Sequence, residues 1–174
     1  MIIQADTRQK KNHHTAKEKY FAEQGIRVIH YGMPVGDYCI PSQGGIVVDT
    51  KANISELYGN LIQQHDRFHN ECVLAQDAGI KLYILVENKD GVKCVDDLRD
   101  WKNPQMFRYK KAVRLARMNG TKEPKPPASN IQLIKIMHSM TRDYGVEFLF
   151  CTPQEAGQRV IDLLLGGKGN NNGD

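Results

Sequence analysis

Two aspartates and a lysine flank one turn signal in the sequence. Asp37 precedes the Pro- and Gly-rich turn at 41–45, and Asp49 and Lys51 follow it. Side chains two residues apart on a strand point to the same face, so Asp49 and Lys51 are predicted to be neighbours. Antiparallel pairing across the turn would bring Asp37 close to Asp49. We therefore predict a site where two carboxylates and an ammonium group converge.

This combination suits metal-assisted hydrolysis of a phosphodiester. Two carboxylates and a strand carbonyl would form the oxygen-rich site that Mg²⁺ or Mn²⁺ prefers. Such an ion polarises a phosphodiester and lowers the pKa of a bound water, while a neighbouring ammonium stabilises the pentavalent charge. The spacing alone also suits an exposed hairpin with ordinary surface charges, because an Asp-x-Lys pattern often occurs by chance.

Alternating strand and helix patterns surround these residues. Strands are predicted over 1–5, 26–31, 35–40, 46–51, 81–87 and 146–151. Helices are predicted over 15–24, 55–78 and 130–144, and a last helix should follow a capping box at 152–155 and end near Leu165. In the second helix, the buried stripe should comprise Leu57, Leu61, His65, Phe68 and Cys72. Helices between strands favour an α/β fold, with a mixed central β-sheet flanked by α-helices.

The charge of the chain is unevenly distributed. The net charge is +4, but nine bases and two acids between Arg99 and Lys125 give that segment +7, which leaves −3 for the rest. If residues 104–118 are helical, Lys110, Arg114 and Arg117 share one side, and another side carries Met106, Tyr109, Val113 and Ala116. A basic segment on a mildly acidic body is typical of proteins that bind a polyanion. The alternative is a solvated helix face.

Composition excludes several classes of protein. The 174 residues, 40% of them hydrophobic, are enough for one domain with a core, and no apolar run is long enough to span a membrane. The first residues show no basic region followed by an apolar stretch, so no secretory signal is expected, and the four cysteines form no C-x-x-C pair. We expect a soluble intracellular protein, cytoplasmic and associated with the nucleoid, or nuclear in a eukaryote.

Several motifs together resemble the XPF-type nuclease domain, a branch of the PD-(D/E)xK superfamily. The family pattern is G-D, a spacer, E-R-K, three residues and D, after a first strand that ends in D-x-R-E. Here the corresponding stretches are Gly36-Asp37, then Asp49-Thr50-Lys51, after a strand that ends in Asp6-Thr7-Arg8-Gln9. The resemblance covers residues 2–165 and implies a restriction-endonuclease-like core, with a basic insertion at about 88–129. Residues 166–174 are predicted to be a flexible Gly- and Asn-rich tail.

The resemblance implies a role for each matching residue. Asp37 and Asp49 would be the metal ligands, Lys51 the catalytic lysine and Asp6 a further acid at the rim of the site. Arg8 would bind DNA through a phosphate contact, and Arg67, which matches the family's helix arginine, would support the site and bind DNA. Asp6 could instead cap a turn, and Arg67 could instead form a surface ion pair with Glu71.

This chain departs from the family pattern at four positions. Asp49 replaces the glutamate, Thr50 the arginine and Gln9 the last glutamate of D-x-R-E, while Ser55 stands where the final acid is expected. Glu56, one residue later, is a candidate substitute for that acid. The two proposed ligands and the lysine remain, so we expect catalysis to survive.

The resulting hypothesis is a Mg²⁺-dependent DNA endonuclease, structure-specific for branched, flap or junction DNA and homodimeric, as the resemblance implies. A non-catalytic DNA-binding or scaffold subunit is the alternative, and a resolvase or restriction-type nuclease would share the chemistry. His65 and His69 have the spacing of a zinc-binding pair, but no third ligand is evident, so a structural or surface role is favoured. His13 and His14 are expected to lie in a solvated loop.

Overall fold

One mixed sheet organises the chain. The structure is a computed structural model and describes residues 1–8 and 15–166. Within these residues the strands are β1 (Ile2–Ala5), β2 (Arg27–His30), β3 (Tyr38–Cys39), β4 (Ile46–Lys51), β5 (Lys81–Glu87) and β6 (Glu147–Cys151). Their order is β2-β1-β3-β4-β5-β6; β3 is antiparallel to both its neighbours, and the other pairs are parallel. The predicted α/β fold with a mixed sheet is confirmed.

Helices cover both faces of this sheet. They are α1 (Thr15–Glu23), α2 (Ile54–Tyr58), a π-helical turn (Gly59–Gln63), α3 (His65–Asp77), a 3₁₀ turn (Asp96–Asp100), α4 (Pro104–Asn119), α5 (Asn130–Tyr144) and α6 (Ala156–Leu164). The central strands β4 and β5 are buried on both sides, as expected for strands covered by helices on both faces. One apolar cluster packs α1 and α6 on the sheet, and a second packs α2, α3 and α5 on the opposite face.

The prediction of one continuous helix over 55–78 is wrong. The chain winds into a π-helical turn at Gly59–Gln63, closed by a hydrogen bond of 3.0 Å from Gln64 N to Gly59 O, and Gln64 leaves helical geometry. The predicted stripe is buried except at His65, which lies just after this break. The apolar residues keep their helical spacing across the break, so the sequence pattern did not indicate a break here. Such wide turns are frequent at functional sites.

The predicted strand over 35–40 is shorter than expected, because Gly36 interrupts it. This glycine has φ of 62°, a left-handed conformation that L side chains rarely adopt, and regular pairing begins only at Tyr38. A Cβ atom at Gly36 would also overlap Val47 Cγ1 of the neighbouring strand. The glycine therefore places Asp37 at the end of the strand and lets the two backbones approach closely.

The last helix begins later than predicted. Glu155 stands at its N-cap position without capping it through its side chain, and the helix starts at Ala156. The Glu155 carboxylate instead accepts hydrogen bonds from Thr152 N and Thr152 Oγ1, both at 2.8 Å. Only half of a capping box forms, because the Thr152 hydroxyl donates to Glu155 and does not cap the helix.

The segment predicted as a basic insertion, 88–129, contains regular structure. It includes the 3₁₀ turn and α4. Residues 104–118 are therefore helical, as the shared side of Lys110, Arg114 and Arg117 requires. Gln9, His13, His14 and the predicted tail beyond Gly166 lie outside the described residues. No helix in the described part of the chain is long and apolar enough to cross a membrane.

Candidate active site

The strands bring three acidic residues to one edge of the sheet. Tyr38 pairs with Val48 in the β3–β4 ladder, and one residue further this register places Asp37 opposite Asp49. Asp37 N donates to Val48 O at 3.0 Å, and Asp6 N donates to Asp37 O at 2.9 Å. Asp6 directly follows β1, so its side chain joins the same edge. The predicted proximity of Asp37 and Asp49 is confirmed by this pairing.

A cavity of about 480 Å³ opens at this edge. It contains all six residues that the sequence predicted for the centre and rim of the site, together with residues from the π-helical turn and α3. Its lining comprises Asp6, Arg8, Gly36, Asp37, Asp49, Lys51, Glu56, Gly59, Asn60, Gln64, Arg67, Phe68 and Glu71. The helix break therefore contributes directly to the wall of the cavity.

Asp49 and Lys51 form a buried ion pair at the base of this cavity. Lys51 Nζ lies 2.6 Å from Asp49 Oδ2, and the lysine and the aspartate are only 8% and 6% exposed. Burial, with the charges of Asp37 and Glu71, raises the pKa of the Asp49 carboxyl despite the opposing effect of Lys51. Burial alone would lower the pKa of Lys51, but its carboxylate neighbours raise it, so the ammonium stays charged.

Asp49 Oδ2 has one close partner. The Lys51 ammonium lies 2.6 Å from this buried oxygen, and no other group among the described residues donates a hydrogen bond to it. A carboxylate oxygen has two lone pairs, so Asp49 Oδ2 can accept a second partner. A bound cation would supply that partner.

Thr50 holds Asp37 in place on the opposite side of the site. Asp37 Oδ2 accepts hydrogen bonds from Thr50 N at 2.8 Å and from Thr50 Oγ1 at 2.6 Å. Thr50 is buried, and it stands at the arginine position of the family pattern. The threonine thus orients the carboxylate from the strand itself.

Asp6 and Arg8 form the rim. Asp6 Oδ2 accepts a hydrogen bond from Arg8 Nε at 2.8 Å, and Asp6 Oδ1 accepts from the backbone N–H groups of Arg8 at 3.2 Å and Met33 at 3.4 Å. Burial opposes ionisation, but these hydrogen bonds outweigh it and lower the pKa of the Asp6 carboxyl. Asp6 therefore fulfils the turn-capping alternative and also lines the cavity. The Arg8 side chain stays largely exposed beside it.

Glu71 is the acidic residue of the cavity that the sequence interpretation missed. Its Oε1 accepts a hydrogen bond from Gly36 N at 2.8 Å, which ties α3 to the residue before Asp37. The alternative ion pair between Arg67 and Glu71 does not form, and the Arg67 guanidinium makes a long contact of 3.5 Å with Gln64. The position of Glu71, one helical turn after Arg67, was the available signal.

Glu56 also lines the cavity, but its carboxylate accepts a hydrogen bond from the backbone. Its Oε2 accepts a hydrogen bond from Ala52 N at 2.7 Å, while Glu56 N donates to Asn53 Oδ1 at 2.9 Å. The carboxylate therefore stabilises the start of α2. Its proposed substitution for the family's final acid remains a prediction.

The donor set fits a cation that prefers oxygen ligands. Asp37 and Asp49 supply two carboxylates to the cavity, and the Asp49 oxygen paired with Lys51 has a lone pair for one more partner. Among the described residues, no three or more His, Cys, Asp or Glu side chains form a ready metal cluster. Further ligands would have to be backbone carbonyls, water or the substrate, as Mg²⁺ commonly uses.

The predicted DNA-binding bases divide between two places. Arg8 and Arg67 line the cavity, but Lys110, Arg114 and Arg117 lie on the exposed side of α4 around a separate groove of about 460 Å³. The two hollows share no lining residue. Arg117 is also engaged in an ion pair with Glu123 at 2.7 Å.

Three further polar side chains have structural partners within the protein. His69 Nε2 lies 2.6 Å from the Tyr144 hydroxyl, and His65 Nδ1 lies 3.1 Å from Leu61 O, so the favoured structural role fits this pair. Glu87, the last residue of β5, is buried and forms an ion pair with Lys17 of α1. That pairing leaves neither buried charge without an opposite partner.

Comparison with known proteins identifies the fold. No protein-family model matches the sequence, and no curated protein matches it. Two similar solved structures are XPF from Aeropyrum pernix, with a TM-score of 0.61, and XPF from Aeropyrum pernix in complex with DNA, with a TM-score of 0.58. Each is 17% identical to this chain.

The alignments span nearly all of this chain but only part of the two XPF chains. They cover 94% and 99% of the chain, and 63% and 68% of the two XPF chains. The resemblance to the XPF-type nuclease domain is therefore confirmed at the level of the fold. At this identity, the likeness establishes the fold alone.

Proposed function

We propose that this chain is a metal-dependent DNA endonuclease that hydrolyses phosphodiester bonds in branched, flap or junction DNA. The observation that carries the proposal is the convergence of Asp37, Asp49 and Lys51 in one cavity at the edge of the sheet. The XPF fold supports the proposal, and one of the similar XPF structures is a complex with DNA. The preference for branched DNA rests on the family resemblance.

Asp37 and Asp49 are the proposed ligands of Mg²⁺ or Mn²⁺. When bound, the ion would polarise the scissile phosphodiester and acidify a water molecule. Thr50 keeps the Asp37 carboxylate in one orientation through two hydrogen bonds, so the site needs little rearrangement when a cation enters. Burial raises the pKa of Asp49, so a cation would bind this carboxylate in competition with a proton.

Lys51 and the arginines supply positive charge to the phosphate. The Lys51 ammonium lies at the base of the cavity and is held there by Asp49, where it can stabilise the pentavalent transition state. Arg8 at the rim and Arg67 on α3 line the same cavity and can hold the flanking phosphates. Asp6 fixes Arg8 through their ion pair.

The exposed bases of α4 are proposed to contact DNA outside the cavity. Lys110 and Arg114 face solvent and form no ion pair with the described residues, so they are available to phosphates. Because their groove is separate from the catalytic cavity, they would hold DNA away from the scissile bond. This contribution would be electrostatic and sensitive to salt.

A homodimer and an intracellular location complete the proposal. Both follow from the family resemblance and from the DNA substrate. Light scattering on the purified chain would measure the assembly, and a monomeric mass at the concentrations used for cleavage would contradict the dimer.

A non-catalytic DNA-binding subunit is the second candidate. The observation that favours it is the small number of metal ligands. No three acidic, His or Cys side chains form a ready cluster within the described residues, and the Asp49 carboxylate is already paired with Lys51. The retained acid-x-lysine arrangement favours the enzyme. The two candidates differ in whether purified protein cuts DNA.

One cleavage assay separates these functions. Flap, fork, four-way junction, duplex and single-stranded DNA would be incubated with the protein and Mg²⁺, Mn²⁺ or a chelator. We expect cleavage of a branched substrate with either metal and none with the chelator. Binding without cleavage of any substrate in either metal would support the non-catalytic subunit instead.

A further inference from the structure

Helix α4 exposes large apolar side chains in the middle of a basic surface. Phe107 is 76% exposed and Met118 is 73% exposed, although both would ordinarily be covered in a folded domain. The helix contains five bases and no acidic residue. These bases are Arg108, Lys110, Lys111, Arg114 and Arg117.

The helical period places these residues on one face. Phe107 and Met118 are eleven residues apart, which is three turns, so they lie nearly in line and about 16 Å apart along the axis. Lys111 and Arg114 fall between them on the same face. The opposite side of α4 carries the buried Ala116 and half-buried Tyr109 and is directed towards the protein.

We propose that this face of α4 binds unpaired nucleotides, with a base stacked on Phe107 and the backbone held by Lys111 and Arg114. The inference depends on the proposed function only for DNA as the ligand, and it adds a site for single strands outside the cleavage cavity. Within the described residues, Arg114 and Lys111 form no ion pair, so their charges are available to a polyanion.

The chemistry of the face selects an unpaired strand over a duplex. In a duplex the faces of the bases are covered by their stacked neighbours, and phosphate binding by the cations would leave the exposed ring of Phe107 without a partner. An unpaired strand offers both a π-face and a phosphate every nucleotide. Aromatic stacking combined with basic residues along the backbone is how sequence-tolerant single-strand binding works.

The same face does not suit a membrane surface. A helix that lies on a bilayer needs a broad continuous apolar face. Here Lys111 and Arg114 lie between Phe107 and the neighbouring exposed pair Leu115 and Met118, so charged side chains divide the apolar surface into two parts. The charge and the isolated ring therefore favour a strand of nucleic acid.

The test compares Phe107→Ala with Leu115→Ala in the full chain. Both side chains are exposed on α4, so both variants remove apolar surface without opening the core, but Leu115 has no ring. Affinity for a labelled thymidine oligonucleotide of about 20 nucleotides would be measured by fluorescence anisotropy. A stacked base is worth about 1–3 kcal/mol, which corresponds to a loss of about 5- to 150-fold for Phe107→Ala.

Further measurements make the stacking role specific. Phe107→Tyr should retain single-strand affinity, Leu115→Ala should stay within about twofold of the parent, and all variants should bind a blunt duplex equally well. Equal losses for Phe107→Ala and Leu115→Ala, or unchanged single-strand binding in Phe107→Ala, would overturn the proposal. Binding of the parent chain to vesicles of phosphatidylcholine and phosphatidylserine, without binding to the oligonucleotide, would overturn it too.

The binding test and the cleavage assay can refute their two proposals independently. If Phe107→Ala leaves single-strand binding intact while the parent chain still cuts branched DNA with Mg²⁺, the role of α4 is refuted and the proposed nuclease stands. If Phe107→Ala loses single-strand affinity while the parent cuts nothing, the α4 site stands and the catalytic proposal is refuted.

Discussion

Thr50 donates two hydrogen bonds to a single carboxylate oxygen of Asp37, one from its backbone nitrogen at 2.8 Å and one from Oγ1 at 2.6 Å. Asp37 immediately precedes β3, and Thr50 lies on the neighbouring strand β4, thirteen positions away in sequence. A buried hydroxyl thus stands where the family pattern has an arginine, and it orients the carboxylate without adding charge. This pair of hydrogen bonds makes the position of Asp37 dependent on the β4 strand.

Removing the Thr50 hydroxyl should weaken the metal site. Thr50→Val keeps the size and branching of the side chain but deletes the Oγ1 donor, whereas Thr50→Ser keeps the donor. Because partners that orient a metal ligand contribute about 10- to 100-fold to affinity or activity, we expect a loss in that range for Thr50→Val. Mn²⁺ titration by calorimetry and the cleavage rate would measure it; equal values for the two variants would contradict the orienting role.

Metal binding should stabilise the protein through Asp49. A cation that binds only the folded state at about 100 times its Kd adds about 2.7 kcal/mol to the free energy of unfolding. We expect Mn²⁺ to raise the Tm of the parent chain but not that of Asp49→Asn, which loses a charged ligand. Asp90→Asn, an exposed loop acid, is the matched control and should respond like the parent. A Tm rise of equal size in Asp49→Asn would refute the ligand assignment.

Lys51 should affect cleavage more than metal binding. Lys51→Met keeps the aliphatic stem and removes the ammonium, so the transition state loses its nearby positive charge. Removing one such electrostatic group typically lowers kcat by about 10²- to 10³-fold. The rate would be measured on the best branched substrate, with circular dichroism to establish folding. A folded Lys51→Met variant with full activity would exclude the lysine from catalysis.

Asp6 should make stability depend on pH in the acidic range. Its folded-state pKa lies below its ordinary value of 3.8, so its contribution is present above that pH and is lost as pH falls through the folded value. Asp6→Asn should therefore cost about 1–3 kcal/mol at neutral pH, and less as pH falls towards 3. Urea unfolding across this range would test it. A cost that is constant with pH would show that the ionised carboxylate is not the stabilising form.

Gly36 should tolerate no side chain. Gly36→Ala must strain a positive φ and also push its Cβ into Val47, whereas Gly44→Ala has a similar φ of 61° in open space. Positive φ strain costs about 1–3 kcal/mol, so Gly44→Ala should lose about that much and Gly36→Ala measurably more. Chemical denaturation would give the free energy of unfolding of both variants, and the difference between their losses measures the cost of the clash with Val47. Equal losses would show that the approach of Val47 imposes no cost.

Reversing the charge of α4 should reduce the salt dependence of DNA binding. With Lys110, Arg114 and Arg117 all changed to Glu, the slope of log K against log salt should fall by about 0.9 for each phosphate that the helix no longer neutralises. A control with Lys89 and Lys135, exposed bases on other segments, should keep the parent slope. Unchanged affinity and slope in the α4 variant would remove this helix from DNA binding.

The sequence by itself determined the centre of the candidate site. Side chains alternate between the two faces of a strand, which places Asp49 and Lys51 on one face. The turn at 41–45 sets the antiparallel register that brings Asp37 opposite Asp49. Both facts are local, because backbone geometry over a few residues fixes them. The bounds of β4, β5 and α5 were predictable for the same reason: β4 follows the turn at 41–45, β5 contains a continuous apolar run, and α5 ends at Gly145 in the left-handed conformation.

Only the tertiary structure decided what surrounds that centre. Glu71 reaches Gly36 across thirty-five positions, and the π-helical turn opens the helix beside the cavity. Neither follows from periodicity, because a long-range hydrogen bond and a change of helix type depend on how α3 packs against the sheet. The same holds for α4, whose bases were visible in the sequence but whose separation from the cavity depends on where the helix projects from the fold.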